Sequence, residues 1–280
     1  MQYRAAILGL IPSLVVAITP PNIDGMTIQW SEAFKGSAGS SPSDQWNVMD
    51  AIDTNNEVQT YTTSNNNLQI SGGETIQFVP RKSSAGHWSS GRIETKDSFT
   101  PAAGKIMKIQ SSILLGDNAA TNKQGVWPAF WALGQAMREG TSWPMAGEID
   151  IFEQVNGVAT GYGTLHCGTS SGGPCNEPSG LATSIPMPTT GFNTWAVTID
   201  LTNSDWAAQT MTWQLNGATY KTTTGSDIGD QATWATLAHS PVYVILNVAI
   251  GGDWPGPPND STEGGYGAMM EVQYVAVYSS

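Results

Sequence analysis

Apolar and polar residues alternate with a period of two along much of the chain after residue 20. Every second residue is apolar in 195–201 and again in 211–215, a pattern that predicts β-strands with one buried face. The pair Asn216-Gly217 comes directly after the second segment and predicts a tight hairpin turn, because both residues tolerate positive φ. Further strands are predicted at 57–62, 67–71, 75–79, 90–96, 105–114, 126–133, 147–153, 160–167, 241–249 and 269–278.

This series of short strands, without a convincing amphipathic helix, favours an all-β sandwich. The Gly/Ser/Pro-rich stretch at 36–43 and the turn-rich stretch at 251–264 predict loops. Neither is suited to separate two domains, and the chain shows no internal repeat. We therefore expect one domain, which spans residues 20–280.

The first 19 residues have the features of a secretory signal peptide. Arg4 precedes an apolar run from Ala5 to Ala17, which Pro12 interrupts. A run of about 13 apolar residues is too short to cross a hydrocarbon layer of ~30 Å. We therefore expect residues 1–19 to be a cleaved signal, the mature protein to be secreted, and the membrane not to be a partner.

Composition narrows the class of partner. The 280 residues carry a formal net charge of −12 with only 11 Lys and Arg residues, so a phosphate backbone would be repelled. Eleven Trp and eight Tyr residues accompany a charged fraction of only 12%. Aromatic rings in a weakly charged surface are suited to stack on a neutral ligand that combines apolar faces with hydroxyls. We expect a carbohydrate partner and no nucleic acid.

Cys167 and Cys175 are the only cysteines, and they bracket a Gly/Ser-rich stretch. In an exported protein they predict a disulfide that fixes a surface loop. No histidine lies at a spacing from them that favours a zinc site. Asn259-Asp260-Ser261 is a glycosylation sequon, and the sequence leaves its occupancy open.

Three carboxylates interrupt the otherwise apolar strand at 147–153. Simple alternation places Glu148 and Asp150 on one face and Glu153 on the other. A one-residue bulge at Ile151-Phe152 would return Glu153 to the shared face. Retaining glycosidases use two carboxyls about 5–5.5 Å apart, one as nucleophile and one as acid and base. The alternative is an edge strand whose acids are simply solvated.

The segment Glu148-Ile-Asp150-Ile-Phe-Glu153 resembles the E-x-D-x-x-E signature of glycoside hydrolase family 16, in the bulged form of its laminarinase-like members. Other segments resemble family blocks in the same order: Trp30–Phe34, Asn56–Gln59, Ser90–Arg92, Gly125–Trp131, Thr164–His166, Asn247–Gly252 and Met270–Tyr278. The resemblance implies a β-jelly-roll sandwich of two antiparallel sheets with a concave substrate cleft. It also implies Glu148 as nucleophile, Glu153 as acid and base, and Asp150 between them as the residue that orients and tunes them.

Eight further residues match positions that the family uses along its cleft. The resemblance implies sugar stacking by Trp143, Trp127 and Trp131, hydrogen bonds to sugar hydroxyls or to the carboxylates from Arg92, Asn56 and His166, and a cleft-edge loop lined by Asn247 and Trp254. Core packing is the alternative for each tryptophan. A surface position is the alternative for Arg92, and plain packing is the alternative for His166.

Family members often hold a calcium ion through an acid in the first block and an Asp in the last strand. Ala33 and Gln273 stand at the comparable positions, so we expect no metal and no cofactor. The predicted function is a secreted, monomeric, retaining endo-glycosidase that hydrolyses internal β-1,3 or mixed β-1,3/1,4 linkages of a neutral β-glucan such as laminarin. The alternatives are a β-1,3-galactan endo-hydrolase, a cell-wall glucan transglycosylase and a non-hydrolytic glucan-binding protein.

Overall fold

The computed structural model describes residues 19–169 and 171–280, so the predicted signal peptide, apart from its last residue, lies outside the described residues. The strands in this part of the chain are β1 (Thr27–Glu32), β2 (Trp46–Val48), β3 (Gln59–Tyr61), β4 (Leu68–Ile70), β5 (Ile76–Phe78), β6 (Arg81–Lys82), β7 (Trp88–Ser90), β8 (Arg92–Thr95), β9 (Ile106–Leu115), β10 (Val126–Gly134), β11 (Glu148–Glu153), β12 (Thr160–His166), β13 (Thr183–Pro186), β14 (Asn193–Asp200), β15 (Thr210–Leu215), β16 (Ala218–Thr224), β17 (Val242–Ile250) and β18 (Met270–Ser279). The α-helices are α1 (Gly225–Ile228) and α2 (Gln231–Ala238). Single 3₁₀ turns lie at Ala120–Asn122, Gln135–Met137, Trp206–Ala208 and Tyr266–Ala268.

The strands form two large antiparallel sheets and one small sheet. The eight-stranded sheet has the order β16-β15-β14-β9-β18-β5-β4, with β1 also paired to β18. The seven-stranded sheet has the order β13-β12-β11-β10-β17-β8-β2. The small sheet, β3-β7-β6, contains the parallel pair of β3 and β7. Two packed antiparallel sheets confirm the predicted jelly-roll sandwich.

The core lies between the two large sheets. It is formed by the apolar residues that occupy every second position in strands such as β14 and β15. On β14, Trp195 is fully buried, and its ring stacks on that of Phe152 of β11 with centroids 4.5 Å apart. Gly161 of β12 makes room for this ring, because a Cβ there would lie 2.2 Å from a Trp195 ring carbon. The sheets therefore meet through large aromatic side chains, and β11 is held firmly against the core.

The predicted strands and hairpin are present with small shifts at their ends. Asn216 and Gly217 have φ values of 49° and 82° and join β15 to β16 as a two-residue turn. The structure adds short strands that show little alternation, such as β2 and β6. It also adds α2, which begins after Asp230 as N-cap and buries Trp234. Eight residues are too few for a helical period to be recognised reliably in a sequence.

The predicted disulfide between Cys167 and Cys175 is formed. It closes a short loop directly after β12, next to the strand that carries the acids. None of the helices in residues 19–169 and 171–280 has the length and apolar character needed to cross a bilayer. The assignment of residues 20–280 to one domain stays a prediction.

Candidate active site

A bulge in β11 sets the direction of its three acids. Asp150 lies opposite Thr164 of β12, whereas Glu153, three residues further on, lies opposite Tyr162, which is only two residues from Thr164. The pairing with β10 shows the same extra residue. The predicted bulge at Ile151-Phe152 is therefore present, and both of its residues are fully buried in the core. With two consecutive residues turned inward, Glu153 joins Asp150 on the outer face of the seven-stranded sheet.

The three carboxyls on this face are buried and close enough to affect one another. Burial raises the pKa of Glu148 to about 8, and the negative charge of Glu153 adds to the shift. Burial raises the pKa of Glu153 to about 7, while the Trp127 indole N–H donates to Glu153 Oε1 at 2.9 Å and partly offsets it. Burial and the charges of both glutamates raise the pKa of Asp150 well above its ordinary value. The cluster therefore retains protons near neutral pH.

His166 lies between Glu148 and Asp150 on one side and Glu177 on the other. Its Nε2 is 3.5 Å from Asp150 Oδ2 and 4.0 Å from Glu148 Oε1. Its Nδ1 is 2.7 Å from Glu177 Oε2, and Glu177 Oε1 accepts the backbone N–H of Cys167 at 2.8 Å. Glu177 is absent from the sequence-based site, because it lies in an irregular segment after the second cysteine, where no alternation or motif marks it.

Aromatic side chains border the acid cluster on both sides. The ring of Trp254 packs nearly perpendicular to the rings of Trp127 and Tyr162. The centroid distances are 5.7 Å to Trp127 and 5.0 Å to Tyr162. On the other side, the ring of Trp143 lies 5.4 Å from that of His166. Trp143 and Trp254 are among the most exposed large side chains, at 41% and 45%. These rings are accessible to a ligand, and Tyr162 is a further member that the sequence-based site lacks.

Trp131 and Asn247 lie deeper in the same face. The Trp131 indole N–H donates to Asn247 Oδ1 at 2.8 Å, and Asn247 Nδ2 donates to the Tyr61 hydroxyl at 3.1 Å. The expectation that Asn247 lines a cleft-edge loop is wrong, since it lies in the middle of β17 and is only 5% exposed. Arg92 stacks over the Trp131 ring at 5.0 Å and pairs with Glu94 at 2.8 Å, so it is buried rather than on the surface.

Asn56 lies in an exposed loop at the end of the face that carries Trp254. Its backbone has a φ of 55°, and its side-chain Nδ2 donates to Asp253 Oδ1 at 2.8 Å. The contact joins the loop before β3 to the loop after β17. Asn56 therefore supports the position of the Trp254 loop.

Among the residues that the structure describes, one group of side chains could bind a metal ion. Glu148, Asp150 and His166 each offer one ligand atom, and these atoms lie within 4.8 Å of one another. A cation held there would neutralise the two carboxylates that border the outer face. The same atoms would then be unavailable to a substrate.

Comparisons with known proteins agree with this architecture. A family model described as "XgeA-like, catalytic GH16 domain" matches residues 47–190, which include the whole of β11. Glucan endo-1,3-beta-glucosidase A1 of Niallia circulans is 29% identical over an alignment of 290 positions that covers 93% of this chain. The chain spans only 39% of the length of that protein. The beta-glucanase of Rhodothermus marinus is 27% identical, with 80% of this chain and 74% of that protein covered.

The fold is also similar to solved structures. The crystal structure of an endo-1,3-beta-glucanase from Streptomyces sioyaensis matches with a TM-score of 0.88 and 34% identity. The match covers 94% of this chain and 99% of that chain. The endo-beta-1,3-glucanase from Pyrococcus furiosus matches with a TM-score of 0.71 and 28% identity, with 92% and 97% covered.

Proposed function

The chain belongs to glycoside hydrolase family 16, and on that premise we propose that it is a retaining endo-β-1,3-glucanase. Its substrate is a neutral β-glucan such as laminarin, with mixed β-1,3/1,4 linkages as a second substrate class. The observation that carries the proposal is the bulge in β11, which brings Glu148, Asp150 and Glu153 to one face. The names of the related glucanases support the choice of glucan over galactan.

The order of the acids in the family 16 signature supports different roles for the two glutamates, with Glu148 as nucleophile and Glu153 as acid. Burial raises the pKa of Glu148 to about 8, above the value of about 7 for Glu153, and Arg92 and the Trp143 side chain partly offset the shift of Glu148. Two interacting carboxyls lose their protons in two steps that belong to the pair. When Glu148 carries the negative charge, the remaining proton stays on Glu153, which is the acid.

The reaction then proceeds by two displacements. A Glu148 oxygen attacks the anomeric carbon while Glu153 protonates the departing glycosidic oxygen, so the glycosidic bond breaks as the glycosyl ester forms. Glu153, now a carboxylate, takes a proton from a water molecule, and that water attacks the same carbon and releases Glu148. Two inversions leave the product with the starting configuration.

The exposed aromatic side chains support a polymeric substrate. Trp143 and Trp254 lie on opposite sides of the acids and offer ring faces on which pyranose rings stack. A chain that extends past the acids in both directions is cleaved internally. The disulfide between Cys167 and Cys175 is typical of an oxidising compartment, and we propose that the protein acts outside the cell as a monomer.

Reducing-sugar release from a panel of β-glucans and β-galactans tests the proposal. Laminarin should give the highest rate, and Glu148→Gln should abolish release while laminarin binding remains, because the amide occupies the same volume without a nucleophilic oxygen. Glu263→Gln, which removes an exposed carboxylate bound to Asn122, is the matched control and should keep full activity. Hydrolysis that survives in Glu148→Gln would refute the nucleophile, and a faster rate on galactans would refute the substrate class.

A further inference from the structure

Glu177 is a buried carboxylate held in a fixed position outside the acid-bearing strand. Its side chain is only 1% exposed. Its backbone N–H and carbonyl form a reciprocal pair with Gly172 at 2.7 Å each. Its Oε1 accepts the Cys167 N–H and its Oε2 contacts His166 Nδ1. Each carboxylate oxygen thus has one partner, and one of the two is the imidazole.

This contact decides which nitrogen of His166 carries a proton. A carboxylate oxygen accepts hydrogen bonds, so Nδ1 is the N–H nitrogen that donates to Glu177. Nε2 then faces Asp150 Oδ2 at 3.5 Å and Glu148 Oε1 at 4.0 Å. Asp150 Oδ2 is buried and has no hydrogen-bond partner among the described residues. A bare Nε2 lone pair opposite two carboxylate oxygens is repulsive, so the arrangement requires a proton between them.

The same contact sets the direction of the ring. Glu177 holds the Nδ1 edge, so Nε2 on the opposite edge points at Asp150 and Glu148. The cations that face the acids are Arg92, towards Glu148, and Lys221, towards Asp150. Neither donates a hydrogen bond to Asp150 Oδ2, so His166 Nε2 is the polar atom placed to face this oxygen, and Glu177 controls its direction.

We propose that Glu177 is a positioning residue for the reaction: it fixes the tautomer and orientation of His166, so that a proton lies between Nε2 and Asp150 and Glu148 stays free to attack. Glu177 itself does not touch the substrate, since its carboxylate is enclosed by its own partners. The inference rests on the proposed function. It extends the active site across the disulfide loop, because Cys167 supplies one of the two hydrogen bonds that hold the carboxylate.

Glu177→Gln tests the proposal in kinetics. The amide keeps the volume but removes the charge behind the imidazole. We expect kcat to fall by roughly 10- to 100-fold, the range known for outer partners of metal-bound imidazoles, with KM within about two-fold. An amide can either donate to Nδ1 or accept from it, so the tautomer of His166 is then no longer fixed. In a His166→Gln background the same substitution should produce no further change, while the control Glu263→Gln should leave both constants unchanged.

The double variant and the conservative variant separate the explanations. If Glu177 acts on the glutamates by its own charge alone, its substitution has the same effect in the His166→Gln background, which would overturn the proposal. If it is merely structural, the active fraction and the melting temperature fall while kcat per active molecule stays at the wild-type value, which would also overturn it. Recovery of most of the wild-type kcat in Glu177→Asp after correction for the active fraction would show that charge and position act together, as proposed.

A second measurement needs no catalysis. The chain has three histidines, so ¹⁵N-histidine labelling gives a small set of ring signals, and the His166→Gln variant identifies those of His166. We expect the neutral ring to carry its proton on Nδ1, where Glu177 accepts it. A neutral ring protonated at Nε2 would overturn the proposal. This readout stands even if the chain has no glucanase activity, so failure of the proposed function remains distinguishable.

Discussion

Replacement of Glu153 by Gln should abolish activity and stabilise the fold at neutral pH. Burial raises the pKa of Glu153 from 4.5 to about 7. Because the folded pKa lies above the unfolded one, the contribution of this group to stability is complete below about pH 4.5 and is lost as the pH rises through 7. The difference between the two pKa values corresponds to about 3 kcal/mol at ~1.4 kcal/mol per pKa unit. Gln cannot ionise, and its amide oxygen still accepts the Trp127 N–H.

Thermal unfolding followed by circular dichroism between pH 4.5 and 8.5 measures the effect. At roughly 2–4 °C per kcal/mol for a domain of this size, the variant should melt about 6–12 °C above the wild type at pH 8. The difference should narrow to a degree or two near pH 4.5. The control Glu263→Gln should run parallel to the wild type. The assignment of Glu153 as a buried acid that keeps its proton would be refuted by either of two results. One is a difference in melting temperature that does not change with pH. The other is a difference that becomes smaller as the pH rises.

Two further variants test the surroundings of the cluster. Trp127→Phe removes the N–H that lowers the pKa of Glu153, so the alkaline limb of the kcat profile should move to higher pH; an unchanged limb would show that the hydrogen bond does not act on the acid. The double variant Cys167→Ser, Cys175→Ser opens the loop behind His166 and should cost about 2–3 kcal/mol of unfolding free energy by the loop-entropy estimate, seen as a lower denaturant midpoint, with kcat also reduced. Full activity in that variant would argue against a role of the loop in the site.

The strands of this fold follow from the sequence where side chains alternate in burial. β14 and β15 present their apolar residues to one core, so their period is clear. β17 is buried along its whole length and shows instead an apolar run that Asn247 interrupts. Short strands such as β2 are fixed by pairing with β8, which no local pattern records. The helix α2 is likewise stabilised by burial of Trp234 against the sheets rather than by a long helical period.

The acid cluster is predictable because carboxylates in a core strand are unusual and because the bulge is needed to bring them together. The partners of these acids are harder to find. Glu177 reaches His166 across a disulfide loop, and Tyr61 reaches Asn247 across 186 positions of sequence. Such contacts depend on the path of loops, for which hydrophobic periodicity carries no information. The location of Asn247 in a strand follows from the apolar residues on both sides of it, which outweigh its own polarity.

Because β11 contains one extra residue, the number of residues in this strand, rather than the identity of its side chains, controls which groups share a surface. β10 and β12 both pair with β11 before and after the irregularity, so a single deletion there would have to move one half of the strand by one position relative to both neighbours. Either Glu153 would turn into the apolar interior or the segment before it would. Point substitutions can adjust the acidity of the groups gradually, but a change between the two strand geometries requires an insertion or deletion, and intermediates between them are not available to the chain.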